Sequence, residues 1–363
     1  MKIAIYGGGN QATEIIKLIN RHSIPVTIEK IILTNPNCNE FMGIEVISVE
    51  RINDIYVDYL VISSDKYYKE MFFQLKKNSQ SWDSLAPKIV DFERIQRMLY
   101  NLKRDMPYMS VRVNDINLVY RSDDIEIPYR MFCNGNIYSK ETMDAFAELV
   151  TKYSSKTFDT GYFFDIGANI GTTTVYFGKK YPKMKVLAFE PSRENARLLK
   201  INCILNDLLN VQVEEVGVSS EQQTLPFKYN SANSGNSGFT DKISDYSYLA
   251  NVVSIDQYCF DRNIFAKDIC ALWVDVEGYE YNVILGAKKL IESERIPLLQ
   301  EFNPSIYQER GVLEEYLQLM EELFHGYVSL IDDEKRYRNI SELRDYPKKL
   351  EDAGYTHVDI FFY

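Results

Sequence analysis

The sequence has 363 residues, a formal net charge of −11 and a hydrophobic content of 45%. This length predicts two domains, and this composition predicts packed cores rather than disorder. The acidic balance, with no block rich in Lys and Arg, argues against a nucleic-acid partner. No apolar run is long enough to span a bilayer, and no secretory signal begins the chain, so we expect no membrane span. The five scattered cysteines form no CxxC pair, which favours a cytoplasmic protein with reduced thiols.

The N-terminal half begins with a strand, Lys2–Tyr6, that leads into a glycine turn and a helix. The turn Gly7–Ala12 fits the pattern G-x-G-x-x-A, and a second strand follows at Ile28–Leu33. This half resembles the small Rossmann-like domains that precede sugar-modifying enzymes in polysaccharide pathways, which implies nucleotide-sugar binding. The alternative is a docking or structural domain whose glycine turn only packs the strand against the helix.

The next segment links this half to the rest of the chain. A helical pattern over Asp91–Met106 joins the two halves. One strand is predicted over Val111–Tyr120, where apolar and polar residues alternate, and an amphipathic helix is predicted over Glu141–Lys152. We expect this lead-in to cover the open edge of the sheet that follows, where it could also form one wall of a substrate cleft.

The stretch Phe163–Thr174, FFDIGANIGTTT, carries the clearest ligand-binding pattern. Its apolar start predicts a buried strand, so Asp165 lies near the carboxyl end of that strand, where open α/β sheets bind ligands. Three small residues then form a tight turn that lets a ligand approach the backbone: Gly167, Ala168 and Gly171. The turn contains Asn169 but no lysine or arginine for a phosphate, which favours a nucleoside with an uncharged linker over a dinucleotide.

The second strand of this half ends at Glu190. An acidic side chain at that strand end is placed to accept hydrogen bonds from the two hydroxyls of a ribose. Pro191 and Ser192 follow, and Ser192 is the predicted N-cap of the next helix. The third strand is predicted over Val211–Val218, which places Gly217 near the adenine of a bound nucleoside.

Later strands complete a predicted α/β fold. They are expected at 269–274, 297–300, 327–330 and 356–362, with the last antiparallel at an edge. The C-terminal part is therefore a seven-stranded doubly wound sheet, preceded by the smaller Rossmann-like α/β domain. The polar run Asn230–Gly238 predicts a loop, either a plain connection or a mobile lid over the ligand.

Three motifs together resemble the FkbM-type family of S-adenosylmethionine-dependent methyltransferases: FDIGANIG, AFEPSRENARLLKIN and VDVEGYEYNVILGAKKLI. The resemblance covers about Gly161–Asn303 and implies S-adenosyl-L-methionine as the cofactor. The implied cofactor-binding residues are Asp165, Gly167, Ala168, Asn169, Gly171, Glu190, Pro191, Ser192 and Gly217. We therefore divide the chain into an N-terminal domain at 1–100, a lead-in at 101–160 and a seven-stranded methyltransferase domain at 161–363.

Carboxylates that follow the fourth strand are the candidates for catalysis. A sugar hydroxyl is a poor nucleophile, so a base or a metal ion should assist its deprotonation. Asp275 is the first candidate, as base or metal ligand, and Glu277 is the second. Glu280 belongs to the same run, DVEGYE, and we expect one of the glutamates to be structural because the three carboxylates cannot all point into one cleft.

Asp275, Glu301 and Asn303 form a candidate ligand set for Mg²⁺. Oxygen donors at two adjacent strand ends suit that ion, which keeps several waters for a substrate diol to displace. Phe302 separates Glu301 from Asn303, however, which departs from the adjacent pair of Mg²⁺-dependent O-methyltransferases. The alternative is that both residues cap a turn or bind substrate without a metal.

The three histidines contribute little to the predicted site. We expect His22 and His357 to be structural. His325 follows a helical pattern and is expected to cap it, with a role as a base as the less favoured alternative.

These patterns predict S-adenosylmethionine-dependent O-methylation of a sugar or a nucleotide-linked sugar in surface-polysaccharide biosynthesis. The acceptor depends on the family resemblance and on the N-terminal half, whereas the cofactor depends on the residues. Two other functions stay open: a non-catalytic nucleotide-sugar-binding scaffold, and an NAD-dependent oxidoreductase that uses Gly7–Ala12. Intact Asp165, Glu190 and Asp275 argue against the first. Thr34, where an acidic residue would bind the ribose of NAD, argues against the second.

Overall fold

A computed structural model describes residues 1–102, 107–230, 233–240, 247–332 and 335–363. The chain divides into two units: Met1–Pro107 with Phe132–Gly135, and Tyr108–Met131 with Asn136–Tyr363. Within the described ranges, no helix combines the length and the apolar character needed to cross a membrane.

The N-terminal unit contains one mainly parallel sheet. Its strands are β1 (Lys2–Tyr6), β2 (Thr27–Leu33), β3 (Glu40–Phe41), β4 (Ile44–Ser48), β5 (Tyr59–Ile62) and β6 (Ile89–Val90). Its helices are α1 (Asn10–Arg21), α2 (Tyr68–Asn78), α3 (Trp82–Leu85) and α4 (Phe92–Asn101). The strand order is β3-β4-β2-β1-β5-β6; the β3–β4 pair is antiparallel, and the other pairs are parallel.

The glycine turn of this unit lies where the sequence places it, between β1 and α1. Gly7 has φ +121°, and a Cβ there would lie 2.4 Å from Ser63 Oγ, so only glycine fits beside the end of β5. The helix that follows buries its apolar stripe, as its periodicity predicts. Asp91 caps α4, which ends at Asn101; residues 103–106, the end of the helix expected over Asp91–Met106, lie outside the described ranges.

The second unit carries the larger sheet. Its strands are β7 (Tyr108–Val113), β8 (Ile116–Arg121), β9 (Tyr162–Ile166), β10 (Lys185–Phe189), β11 (Val211–Glu214), β12 (Gly217–Val218), β13 (Gln223–Lys228), β14 (Gly238–Phe239), β15 (Ser247–Val253), β16 (Ile269–Val274), β17 (Leu298–Phe302), β18 (Gly326–Ser329), β19 (Tyr337–Asn339) and β20 (Val358–Phe362). The helices beginning here are α5 (Ile127–Asn134), α6 (Lys140–Tyr153), α7 (Thr172–Lys180), α8 (Arg193–Leu205), α9 (Ile255–Arg262), α10 (Glu280–Glu294), α11 (Pro304–Glu309), α12 (Leu313–Leu323) and α13 (Tyr346–Asp352).

The large sheet has the order β11-β10-β9-β16-β17-β20-β18-β19, so among the described residues it has eight strands and not the predicted seven. The additional strand is β19, a three-residue edge strand antiparallel to β18. The last strand, β20, is antiparallel as predicted, but it lies between β17 and β18 and not at an edge. Its residues are mostly buried, as an internal strand requires.

Two other predicted strands are divided in the structure. The single strand expected over Val111–Tyr120 is a hairpin of β7 and β8, because Asn114 turns the chain with φ +54°. The strand expected over Val211–Val218 is interrupted after Glu214. Its second part, β12, pairs with β15 in a separate four-stranded sheet, β12-β15-β13-β14.

Both faces of the large sheet are covered, which makes it doubly wound. The neighbouring residues Phe163 and Phe164 of β9 are both fully buried and belong to different apolar cores. The core around Phe163 includes residues of α6 and α7, whereas the core around Phe164 includes residues of α10 and α12. Alternating side chains of a strand point to opposite faces, so a strand buried on both sides reads as a continuous apolar run.

The hairpin of β7 and β8 is held by side chains of α8. Asn202 accepts a hydrogen bond from Val119 N at 2.6 Å and donates to Val119 O at 3.1 Å. Asn206 makes the same pair of contacts with Asn117, at 2.9 and 2.6 Å. Both asparagines are buried, so their amides satisfy the edge of β8 as a neighbouring strand would.

Candidate functional site

The ends of β9 and β16 approach each other closely, and a glycine makes this approach feasible. Gly167 follows β9 with φ +88°, and a Cβ there would lie 1.8 Å from the carbonyl oxygen of Asp275. No other residue fits this position without a shift of the backbone. The neighbouring Asp275 N donates to Ile166 O at 3.0 Å, which continues the pairing of the two strands to their ends.

A cavity of about 730 Å³ opens at these strand ends, within the second unit. Ten of the predicted site residues line it: Gly167, Ala168, Asn169, Glu190, Pro191, Gly217, Asp275, Glu277, Glu301 and Asn303. This is the edge of the sheet at which doubly wound folds bind ligands, beside the switch point between β9 and β16. The structure therefore brings together side chains that are far apart in the sequence.

Three predicted residues do not line the cavity, namely Asp165, Gly171 and Ser192. Asp165 is buried beneath the turn, where its carboxylate accepts a hydrogen bond from the Thr174 hydroxyl of α7. Burial raises the pKa of Asp165 to about 7, against the opposing effect of Thr174. Gly171 precedes α7, and Ser192 caps α8 by accepting from Asn195 N at 3.3 Å. These three residues support the turn and the helices around the cavity.

Glu190 is the main acidic group at the turn end of the cavity. The residue is only 4% exposed, and its two carboxylate oxygens accept hydrogen bonds from Asn169 N and Ser192 N, both at 2.8 Å. Burial raises the pKa of Glu190 to about 7, although these N–H groups and the Asn195 side chain favour the ionised form. A carboxylate can accept about four hydrogen bonds, so capacity remains for ligand hydroxyls.

Asn169 offers a donor and an acceptor that the described part of the chain does not satisfy. Its Nδ2 and Oδ1 atoms are both buried and have no hydrogen-bond partner there, and the residue has φ +50°. Buried amide groups are normally paired, and a residue held in the left-handed region often marks a functional site. Asn169 therefore fits a polar ligand beside Glu190.

Four carboxylates form the other end of the cavity, which we call the acidic end: Asp275, Glu277, Glu301 and Asp359. Glu301 and Asp359 are directly paired residues of the antiparallel strands β17 and β20. Asp275 is open to the cavity, although protein surrounds it on its other sides.

Burial and mutual repulsion raise the pKa of every carboxyl group in the acidic end. The pKa of Asp275 lies well above its ordinary value because of the surrounding protein and then of Glu301 and Glu277. Burial, together with a smaller effect of neighbouring acids, raises the pKa of Glu277 to about 7 and that of Glu301 to about 8. For Asp359 burial raises the pKa to about 6, against the effects of His357 and Thr142. Perturbed acids in a cleft are typical of functional sites.

Glu280 has a different environment from the acidic end. Its carboxylate accepts from Val276 N at 3.3 Å, Gly278 N at 3.1 Å and the Tyr307 hydroxyl at 3.0 Å. It is buried and does not line the cavity. The structure therefore assigns Glu280 to the turn after β16, where Glu277 has φ +54°, and leaves Glu277 at the cavity.

The Mg²⁺ hypothesis finds no support in this geometry. Asn303 Oδ1 accepts a hydrogen bond from Ile306 N at 3.4 Å and caps α11, the alternative that the sequence left open. Among the described residues, no group of three or more His, Cys, Asp or Glu side chains is arranged to hold a metal ion.

Sequence reasoning missed several residues of the cavity wall. Asp359 and His357 come from β20 and the residue before it, and Tyr138 and Thr142 come from the lead-in. Thr142 donates to Asp359 Oδ2 at 3.5 Å, and His357 Nε2 lies 3.4 Å from Glu301 Oε1. A single acidic residue within an otherwise apolar strand was the available signal for Asp359. His357, which was expected to be structural, lies beside Glu301 at the cavity.

The predicted loop Asn230–Gly238 also reaches the cavity, although its residues 231 and 232 lie outside the described ranges. Asn233–Gly238 line one side. Ser234 donates from its backbone N–H at 3.2 Å and from its hydroxyl at 2.5 Å to Asp124 Oδ2. Asp124 is 2% exposed, and burial raises its pKa. A buried carboxylate of the lead-in thus holds the loop against the cavity.

Comparison with known proteins gives two family matches. Residues 165–337 match the model of the methyltransferase FkbM domain, and residues 1–82 match the model of the C2185-like N-terminal domain. Methyltransferase sdnD of Sordaria araneosa is 46% identical over 66 residues, which cover 18% of this chain and 26% of that protein. 2-O-methyltransferase NoeI of Sinorhizobium fredii is 23% identical over 173 residues, which cover 43% of this chain and 69% of that protein.

Among solved structures, methyltransferase FkbM from Methylobacillus flagellatus aligns with 13% identity and a TM-score of 0.38, over 100% of this chain and 90% of that one. The chain spans only about a quarter of the length of sdnD, so that match is confined to a short segment. The family model, by contrast, covers the turn after β9, Glu190, the acidic residues that follow β16 and Glu301 of β17. Residues 165–337 are therefore similar to the methyltransferase FkbM domain family.

Proposed function

We propose that this chain is an S-adenosylmethionine-dependent O-methyltransferase that acts on a sugar hydroxyl, free or linked to a nucleotide, in surface-polysaccharide biosynthesis. The observation that carries the proposal is the buried Glu190 carboxylate at the end of β10, facing a cavity in the FkbM domain. The O-methyl chemistry is also that named for the relative NoeI.

The cavity residues fit the proposed cofactor. Glu190 retains acceptor capacity for two ribose hydroxyls, and the unpaired amide of Asn169 can bind a further polar group. Gly167 leaves the backbone open to close approach. Gly217 and Val218 line the cavity near the same end, where we place the adenine. These residues and Pro191 would hold the cofactor.

Asp275 is the residue that we assign to proton transfer. When bound, S-adenosyl-L-methionine supplies a methyl group attached to a positively charged sulfur. The Asp275 carboxylate would accept the proton of the acceptor hydroxyl, whose oxygen would receive this methyl group, with S-adenosylhomocysteine as the other product. A raised pKa makes an ionised Asp275 a stronger base, as general base catalysis requires. Glu277 is close enough to influence that pKa and is the second candidate.

The loop Asn233–Gly238 and the ring of Phe239 limit access of water to this chemistry. Both line the cavity, and Asp124 holds the loop through Ser234. Exclusion of water strengthens electrostatic interactions and is a common role of such loops.

In the described part of the N-terminal unit, the end of β2 lacks the acidic residue that an NAD site would need. Thr34 follows β2 at the position where an acid would bind the ribose, and its hydroxyl is hydrogen-bonded to the Tyr6 hydroxyl at 2.7 Å. A nucleotide-sugar role for the turn after β1 is part of our proposal, and the match of residues 1–82 to the C2185-like N-terminal domain identifies the segment that would carry it.

The decisive experiment is calorimetric titration of the full chain with S-adenosylhomocysteine, followed by a methyl-transfer assay with sugars and nucleotide sugars. We expect micromolar binding of S-adenosylhomocysteine and its formation from S-adenosylmethionine when a suitable acceptor is added. A folded protein that binds neither molecule would refute the proposal and favour a non-catalytic binding role.

A further inference from the structure

The acidic end of the cavity contains more carboxyl groups than its basic neighbours can pair. Arg130 and His357 are the basic residues among the described residues that line the cavity. Arg130 forms an ion pair with Glu126, a residue outside the acidic end, and His357 lies 3.4 Å from Glu301. At most one imidazolium therefore faces four carboxyl groups.

Within the described residues, these carboxyl groups also have few hydrogen-bond donors. In the described part of the chain, no donor or ion-pair partner is present for the Asp275 and Glu277 carboxylates. Asp359 has the long contact with Thr142 at 3.5 Å, and Glu301 has the histidine. Glu280, only a few residues from Glu277, shows the contrast, because two backbone N–H groups and a hydroxyl satisfy it. The hydrogen-bonding capacity of Glu280 is thus used within the fold, whereas that of the carboxylates in the acidic end remains available to a ligand.

The chemistry of such a ligand follows from charge. A phosphate or carboxylate would be repelled by the acidic end, and a neutral polyol would supply hydrogen bonds but no charge. A protonated amine supplies three N–H donors and a positive charge, and its hydrogen bonds to carboxylates are charge-assisted. Of these groups, the protonated amine alone supplies both the positive charge and the hydrogen-bond donors that the acidic end lacks.

We propose, resting on the methyltransferase function above, that the acceptor carries a protonated amine beside the hydroxyl that receives the methyl group. Glu301 and Asp359 bind this amine. They are directly opposite each other on β17 and β20, so both side chains lie on the same face of the sheet and can contact one group. Asp275, at the neighbouring strand end, stays available as the base. An amino sugar satisfies these requirements, and any diphosphate attached to it lies outside the acidic end.

The test uses three two-carbon hydroxyl compounds that differ in charge: ethanolamine, ethylene glycol and glycolate. Trp273 lines the cavity, and the only other tryptophan is Trp82, in the N-terminal unit. The full chain with Trp82→Phe therefore reports on the cavity by fluorescence. The titrations are made at pH 8, with S-adenosylhomocysteine bound and a chelator present. We expect saturable binding of ethanolamine with a Kd at least about tenfold lower than that of ethylene glycol, and no binding of glycolate.

Two variants remove charge with little change of shape, Glu301→Gln and Asp359→Asn, and Glu221→Gln is the matched control on an exposed glutamate. We expect the preference for ethanolamine to disappear in the first two and to persist in the control, with binding of S-adenosylhomocysteine unchanged in all. Equal binding of ethylene glycol, binding of glycolate, no saturable response to ethanolamine or an unchanged preference in the variants would overturn the inference. Binding of S-adenosylhomocysteine, measured first, separates failure of this inference from failure of the proposed function.

Discussion

Replacement of Glu190 by glutamine tests the cofactor site most directly. Each carboxylate oxygen accepts one backbone N–H group, from Asn169 and from Ser192, at 2.8 Å. A glutamine must place its NH₂ group against one of these donors, and it also loses the charge that binds ribose hydroxyls. A hydrogen bond to a charged group is worth about 1.5–3 kcal/mol. Loss of one such bond weakens ligand binding roughly 10- to 150-fold.

The assay is calorimetric titration with S-adenosylhomocysteine, with thermal unfolding of the ligand-free protein as a check on folding. Glu221→Gln, on an exposed glutamate outside the cavity lining, is the control and should bind as the wild type does. If the Glu190→Gln protein is folded and its Kd is unchanged, Glu190 does not bind the ligand, and our placement of the cofactor is wrong.

The same residue predicts a pH dependence with a definite sign. Burial raises the pKa of Glu190 to about 7, and only the ionised form accepts from both ribose hydroxyls. Binding should therefore strengthen as pH rises through 7, with a Kd about tenfold larger at pH 6 than on the plateau above pH 8. In the ligand-free protein, Glu190 makes the stability of the fold change in the opposite direction. Between the ordinary glutamate pKa of 4.5 and the raised pKa of about 7, the folded state holds a proton that the unfolded state has lost. Stability therefore falls as pH rises through this interval. A flat binding profile would refute the assignment.

Three other substitutions test separate parts of the site. Asp275→Asn should leave the Kd for S-adenosylhomocysteine within about twofold and lower turnover roughly 10²- to 10⁴-fold, as loss of a general base does; wild-type turnover would exclude Asp275 as the base. Ser234→Ala removes one hydrogen bond to the buried Asp124, and such a bond is worth about 0.5–1.5 kcal/mol. The Kd for S-adenosylhomocysteine should therefore rise roughly two- to tenfold. An unchanged Kd would mean that the loop does not contribute to binding of the ligand. Thr174→Val removes the hydroxyl that donates to the buried Asp165 and should lower the free energy of unfolding by about 1–3 kcal/mol, measured by urea denaturation. An unchanged urea midpoint would show that Asp165 does not depend on this hydrogen bond.

Local patterns were sufficient for much of the cavity. An apolar run that ends in glycine marks a strand end, and the residues after such ends, including Gly167, Glu190 and Asp275, do line the cavity. In a parallel sheet these ends meet at one edge, so the sequence order of strands and turns already brings the residues together. The side on which a residue projects was harder to predict. Asp165 precedes the turn and points beneath it because successive strand residues alternate between faces.

Nonlocal pairing accounts for what the sequence did not reveal. Asp359 reaches the acidic end only because β20 is inserted between β17 and β18, a choice of neighbour that no local pattern specifies. The hairpin at Asn114 was missed because a two-residue turn interrupts an otherwise regular alternation, and asparagine adopts the left-handed conformation readily. Thr142 faces the cavity through the packing of α6, which likewise depends on tertiary structure.

The position of β20 has a consequence for how the family domain can be isolated. The family match ends at residue 337, whereas β20 begins at Val358 and occupies the interior of the sheet. Phe361 and Phe362 of this strand are fully buried and belong to different apolar cores, so the strand contributes to both layers at once. A fragment cut at the limits of the homologous segment would leave β17 and β18 with unpaired edges and two open cores. An isolated fragment of this domain should therefore include β20 as well as the segment that matches the family.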